Sequence, residues 1–306
     1  RLSRVLKNPK GIDETTVTSL ESETAVFQRL NLTISSIQLL PHLTSHLDRL
    51  SDVLTGTIEP KLRRRLVMTM GEAVELAGWL AWEQGDSVAS RRLYQVVAAA
   101  SHEADYPPLL ACCLADMSYA SSSRGDASRA EYLISQAMKK LDSRSFPVNY
   151  SWLEARQAEE LASLGDSRAL HLIEGSLHRF NSANPDDETM WTGFLTPVRM
   201  DNFALNVYLQ LGRHHDAEPL AKRAMESNAY SRLRPVVLAD IATLYLKTNN
   251  FEQGTEIAAQ AFDTARKAQS QWAMGRLNNL RQLIQARAPY DQRAAEIAAQ
   301  FSATST

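Results

Sequence analysis

Cysteine is nearly absent from this sequence: its 306 residues hold two, the neighbours Cys112 and Cys113. Adjacent thiols are too few and too close to build a disulfide framework or a cysteine metal cluster, which fits a reducing compartment. Glycine and proline are also scarce, at 12 and 11. No alternating Val, Ile and Thr run is bounded by Asn-Gly or Asp-Gly, so the signals of a β-sheet are missing. Charge of one sign is missing too: 33 Lys+Arg stand against 35 Asp+Glu, without the cationic excess of a surface that coats nucleic acid. The longest apolar run, Leu109 to Ala115, falls far short of the roughly 18 residues that a membrane span needs. The first residues, Arg1-Leu2-Ser3-Arg4-Val5-Leu6, include neither Met nor the core of a signal peptide, and the expectation is a piece of a larger cytoplasmic protein.

What is abundant is alanine, 40 residues. Ala loses no rotamer freedom in a helix, whereas Gly and Pro carry the interior penalties, so the expected fold class is all-α. Self-comparison gives the architecture. With the turn of a tetratricopeptide-like helix pair placed on Gly212, Tyr208 falls four residues before it and Ala217, Ala221 and Ala224 fall after it. The same offsets from Asn249 give Tyr245, Gly254, Ala258 and Ala261. Gly85-Asp86 brings Gly78, Ser90 and Tyr94 into this register, and Gly125-Asp126 brings Ser118, Ala130, Ile134 and Ala137. Gly165-Asp166 fits with a one-residue slip through Ala169 and Ile173.

Paired helices approach closely only where side chains are small, which Gly78, Ser118, Ala217 and Gly254 provide. The pattern predicts an α-solenoid of about six helical hairpins over residues 61–306. The sixth is expected from Trp272 to Arg287 and from about Asp291 to Phe301. Two further helices precede the array, Glu14–Leu30 and Leu32–Leu54, the second interrupted near Pro41. They are read as a cap or, through Val17, Leu20, Phe27, Leu30, Ile34 and Ile37, as a homodimer surface. Residues 1–13 read as a linker.

The common catalytic and nucleotide-binding signatures are missing, among them G-x-G-x-x-G, G-x-x-x-x-G-K-[ST], H-E-x-x-H and G-x-S-x-G. The chain therefore reads as a non-enzyme without a metal or cofactor. His42 and His46 share a helix face but have no third ligand, and read as two partly exposed histidines. The basic cluster Lys61, Arg63, Arg64 and Arg65 reads as a solvated face. Arg1, Arg4, Lys7 and Lys10 have the look of a linker running toward something anionic.

In such a stack the first helix of each pair lines the concave surface. The register places Glu75, Trp79, Trp82 and Tyr119 there, with Arg199, Asn202 and Asn206 in the fourth repeat and Trp272, Arg276 and Asn279 in the last. Asparagines suit a peptide backbone, arginines a carboxylate, and tryptophans add apolar contact. The expected ligand set is Trp79, Trp82, Tyr119, Arg199, Asn202, Asn206, Trp272, Arg276 and Asn279. A place for Trp79, Trp82, Trp152 and Trp191 in the core is the competing reading.

Several stretches resemble the sensor half of actinobacterial helix-turn-helix regulators of the Xre type. They are Leu76-Ala77-Gly78-Trp79-Leu80-Ala81 with Gly85-Asp86 and Ser90-Arg91-Arg92-Leu93-Tyr94, the segment from Ser151 to Glu159, Trp191-Thr192-Gly193-Phe194-Leu195, and Val237 to Ala242. The resemblance runs from about Arg1 to Phe301. It implies a regulatory module that binds a peptide or small-molecule effector in the groove and forms a homodimer. DNA would be bound only through an N-terminal domain that these residues do not include. A solenoid scaffold that holds a protein partner is the alternative.

Overall fold

Gly85, Gly125, Gly165 and Gly212 all adopt left-handed backbone, with φ between 72° and 83°, and Asn249 does the same at 63°. The residue after each donates its N–H to the carbonyl five positions back, at 2.8–3.1 Å. This is the closure that ends a helix through a left-handed residue, and it turns the chain for the next one. Asp86 and Asp126 then accept the backbone N–H of Ala89 and Arg129 and so start the following helices. One dipeptide, Gly-Asp, thus stops one helix and begins another.

The computed structural model describes residues 12–56, 58–184, 189, 192–227, 232–268, 271–287 and 292–303. The described residues contain fourteen helices and no strand. Two helices lead, α1 (Glu14–Leu30) and α2 (Ser36–Leu54). Six hairpins follow: α3 (Pro60–Glu83) with α4 (Ser87–Glu103), α5 (Pro107–Ser122) with α6 (Ala127–Met138), and α7 (Pro147–Ser163) with α8 (Arg168–Ser182). Then come α9 (Pro197–Gln210) with α10 (His214–Glu226), α11 (Arg234–Lys247) with α12 (Phe251–Ala268), and α13 (Gln271–Arg287) with α14 (Gln292–Ala303). No described helix is long and apolar enough to cross a membrane.

The small residues lie where the hairpins close. A Cβ added to Gly78 would stand 2.7 Å from the ring of Tyr94, and one added to Gly254 would stand 2.9 Å from Leu246. Ser118, Ala130, Ile134, Ala169, Ile173, Ala217, Ala258 and Ala261 are all fully buried. The first helices of successive hairpins pack on one another, and α13 returns to pack on α3. The last hairpin therefore touches the first across the axis.

The leading helices differ from expectation. Helix α2 runs unbroken through Pro41 and forgoes the hydrogen bond to the Ile37 carbonyl. Val17, Leu20 and Phe27 share a core with Leu39, Leu43 and Leu50 of α2 and with Leu66, Leu76 and Leu80 of α3. Leu30 and Ile34 pack against this core, and Ile37 is exposed. Five of the six apolar residues considered for a dimer surface thus cap the first hairpin.

The basic cluster lies at the surface, with Lys61, Arg63 and Arg64 exposed, and its arginines pair within the chain. Arg63 pairs with Glu103 at 2.9 Å, Arg64 donates to the Ala104 carbonyl at 2.6 Å, and Arg65 holds Glu21 and Glu14 at 2.7 and 3.0 Å. His42 is exposed, whereas His46 is fully buried and hydrogen-bonded to Thr24 at 2.7 Å. The two do not form the partly exposed pair expected. Arg1, Arg4, Lys7, Lys10 and Trp191 lie outside the described residues.

Candidate functional site

The inner helices each carry one inward stripe. Glu75, Trp79 and Trp82 follow one another on α3 at spacings of four and three, and Cys112, Asp116 and Tyr119 repeat that spacing on α5. Side chains so spaced lie on one helix face. Where the two stripes meet, they bound a cavity of about 770 Å³. Trp152 of α7, Arg199 of α9 and Trp272 of α13 add to its wall, and so do Phe194 from the connector before α9 and Ala25, Gln28 and Arg29 of α1.

Aromatic rings join the two ends of the array at this place. Trp79, Tyr119 and Trp272 form a triangle of edge-on contacts, with centroids 5.5, 5.9 and 6.1 Å apart. Trp82 lies tilted at 45° against Trp79 at 4.9 Å, and Phe194 stands edge-on to Trp152 at 5.4 Å. Such pairs contribute about 0.5–1.5 kcal/mol each beyond the area they bury.

Below the rings the polar stripe is closed on itself. Arg199 donates to Asn202 at 2.6 Å and to the Tyr119 hydroxyl at 3.2 Å. Asn202 and Asn206 donate to Asp240 of α11 at 2.9 and 3.5 Å. Arg276 pairs with Glu159 at 2.5 Å, and Arg156 pairs with both Glu159 and Glu160. The three guanidiniums thus face three carboxylates, Glu159, Glu160 and Asp240. Charges buried to this degree persist only when paired, because desolvation costs several kcal/mol per ion. Burial alone would raise Glu159, but Arg276, Arg156 and Arg199 hold it below the ordinary carboxylate range.

Three more acids lie on the α3 and α5 side. Glu75, Cys112 and Asp116 bring two carboxyls and a thiol within 4.8 Å of one another. Burial pushes Glu75 up and Asp116 well up, and it holds the Cys112 thiol protonated. The two carboxyls hydrogen-bond to each other, and Tyr94 donates to Asp116 at 3.4 Å. A donor set of this kind can hold a divalent cation, but here its groups are hydrogen-bonded to one another. Glu72, one turn earlier on α3, is pushed up to about 7 by burial and by Glu75 and Glu21.

A clip closes the opposite side. Arg232, just before α11, donates to the Asn31 carbonyl at 2.8 Å and forms an ion pair with Glu83 at the end of α3. It fastens the C-terminal end of α1 to the fifth hairpin.

The structure brings together four of the nine expected ligand residues, Trp79, Tyr119, Arg199 and Trp272, as walls of one cavity. Trp82, Asn202, Asn206 and Arg276 are tied into the surrounding packing and ion-pair network instead, and Asn279 is exposed away from it. The residues missed were Asp116, Cys112, Arg232 and the α1 contributors. Asp116 had a sequence signal, since it stands three residues before Tyr119 just as Glu75 stands four before Trp79. Arg232 and α1 had none, because their role depends on closure across the axis. No protein-family model and no curated protein matches this sequence.

Proposed function

We propose that this chain is the effector-sensing module of a helix-turn-helix transcriptional regulator, and that its signal is a compact small molecule held in the 770 Å³ cavity. One observation carries this reading: the cavity lies where α1, the first hairpin and the last hairpin meet. A molecule bound there touches both ends of the array at once, and its preference for one closure shifts the population of closures. Helix α1 is also the element nearest to a DNA-binding domain placed N-terminally, so a change in the cavity wall has a short route to it.

The volume is within the range of small-molecule sites, roughly 300–1,000 Å³, and the lining sets five aromatic rings beside convergent polar and charged groups. An extended peptide or a partner helix is disfavoured, because the inner surface is filled by the chain's own rings where α13 meets α3. The Asn and Arg stripe expected to grip a peptide backbone is engaged with Asp240 and Glu159. The resemblance to Xre-type regulators supplies the regulatory context, a homodimer and cytoplasmic location included.

The test is thermal unfolding of the chain in a small-molecule extract of the host cell, alongside Ala25→Trp, which fills the cavity from α1. The extract should raise the melting temperature of the wild type and leave the variant unmoved. An unmoved wild type, or an equal shift in Ala25→Trp, would overturn the assignment.

A further inference from the structure

We propose that the cavity takes an organic cation, an ammonium or alkylated amine whose charge rests on the Glu75–Asp116 pair and whose apolar body lies against Trp79, Tyr119 and Trp272. The proposal builds on the sensing role argued above and names the ligand's chemistry.

The geometry is two layers deep. Glu75 lies one helical turn before Trp79, and Asp116 one turn before Tyr119, so on each helix a carboxyl and a ring stand neighbour to neighbour on the same face, about 5–6 Å between Cβ atoms. All four side chains line the cavity. The carboxyl layer can balance one positive charge, and the ring layer offers the negative faces that attract a cation.

The rings already show this behaviour. The guanidinium of Arg156 lies 3.8 Å over the Tyr119 ring, and that of Arg199 lies 4.8 Å over Trp272.

The charged lining is balanced, Glu75, Glu83 and Asp116 against Arg29, Arg199 and Arg232. Of the arginines in the wall, Arg232 is paired with Glu83, and Arg199 is held by Asn202 beside Asp240. Arg29 is exposed, and Arg156, outside the wall, is committed to Glu159 and Glu160. Glu75 is bridged by neutral donors: Asp116, Cys112 and Gln28. Burial opposes the ionised form of Glu75, and a cation seated beside it would restore that form. An anionic ligand would push these carboxyls further toward the neutral form, whereas a cation would be attracted to the ionised form in a place where water screens poorly.

The experiment uses choline and 2-phenylethylamine as cationic probes, with 2-phenylethanol as the neutral and phenylacetate as the anionic control. Binding is read by calorimetry and by quenching of tryptophan fluorescence. The cations should bind and the controls should not. Glu75→Gln should weaken the cations at least tenfold while keeping the unliganded melting curve. Asp116→Asn serves the same purpose if Glu75→Gln fails to fold.

Host extract is divided in parallel on a cation-exchange resin, and the retained fraction should carry the stabilising activity. Equal binding of the controls, no binding of either cation, or activity confined to the flow-through would overturn the cationic assignment. Activity in the flow-through leaves the sensing cavity intact, whereas inactivity of the whole extract removes the sensing role itself.

Discussion

The indole of Trp272 stands 6.1 Å from that of Trp79, edge-on at 70°, and through this contact the sixth hairpin meets the first. An open superhelix would keep these rings apart. Here they form one side of an aromatic triangle, with Arg199 laid over Trp272. Truncation of Trp272 to Ala should therefore destabilise the chain by about 2 kcal/mol, less than for a fully buried indole because Trp272 is only partly covered. It should also loosen the closure. Small-angle scattering would show a larger radius of gyration than the wild type, and an unchanged radius would mean that the rings do not hold the ends together.

Gly78 and Gly175 give predictions of opposite sign. A methyl group at Gly78 meets the Tyr94 ring at 2.7 Å, whereas one at Gly175 meets nothing within 4 Å. Gly78→Ala gains helix propensity but forces the ring to move, so it should destabilise by about 1 kcal/mol net. Gly175→Ala keeps only the gain and should stabilise by up to about 1 kcal/mol. Urea unfolding of the two variants checks both signs.

Glu72 sets a pH dependence. Its folded carboxyl titrates at about 7 against an ordinary 4.5, so between those values the folded chain holds a proton that the unfolded chain has released. Stability must then fall as pH rises from about 4.5 to about 7, and it stays reduced above that range. Glu72→Gln should remove this share of the slope and stabilise the chain at pH 8 by about 3 kcal/mol, taken from 1.36 kcal/mol per pKa unit. Melting temperatures of both proteins from pH 4.5 to pH 8 should converge at the acid end. Parallel curves would mean that Glu72 is ionised throughout.

Arg232 clips α1 to the array through Asn31 and Glu83. Arg232→Ala leaves the buried Glu83 carboxylate without that partner, which for a buried pair costs about 3–5 kcal/mol. The loss should be local as well as global, with the amides of α1 exchanging with solvent faster than those of α7. The double variant Arg232→Met/Glu83→Gln should recover part of the stability, because it removes the charge along with its partner.

The hairpins were legible because their causes are local. Gly85, Gly125, Gly165, Gly212 and Asn249 need a left-handed φ, and small residues at fixed offsets need to face a neighbouring helix. A second local signal went unread: Pro60, Pro107, Pro147 and Pro197 each open the first helix of a hairpin, where a missing N–H costs nothing. Helix α2 begins at Ser36 and continues through Pro41, because burial of Leu39, Leu43 and Leu50 in the core outweighs the missing N–H. His46 was placed too close to the surface because its partner Thr24 belongs to another helix.

The sequence by itself determined the helices and their pairing and, Asn279 apart, which face of each first helix turns inward, since periodicity and turn chemistry act over a few residues. Only the tertiary structure decided what that inner face does. Closure of the sixth hairpin on the first brought Arg276 to Glu159 and Asp240, turned the expected peptide-binding stripe into an internal ion-pair network, and left the cavity between Glu75, Asp116 and the rings. How far a stack of hairpins curves depends on small rotations summed over all of them, and no single stretch of sequence records that sum.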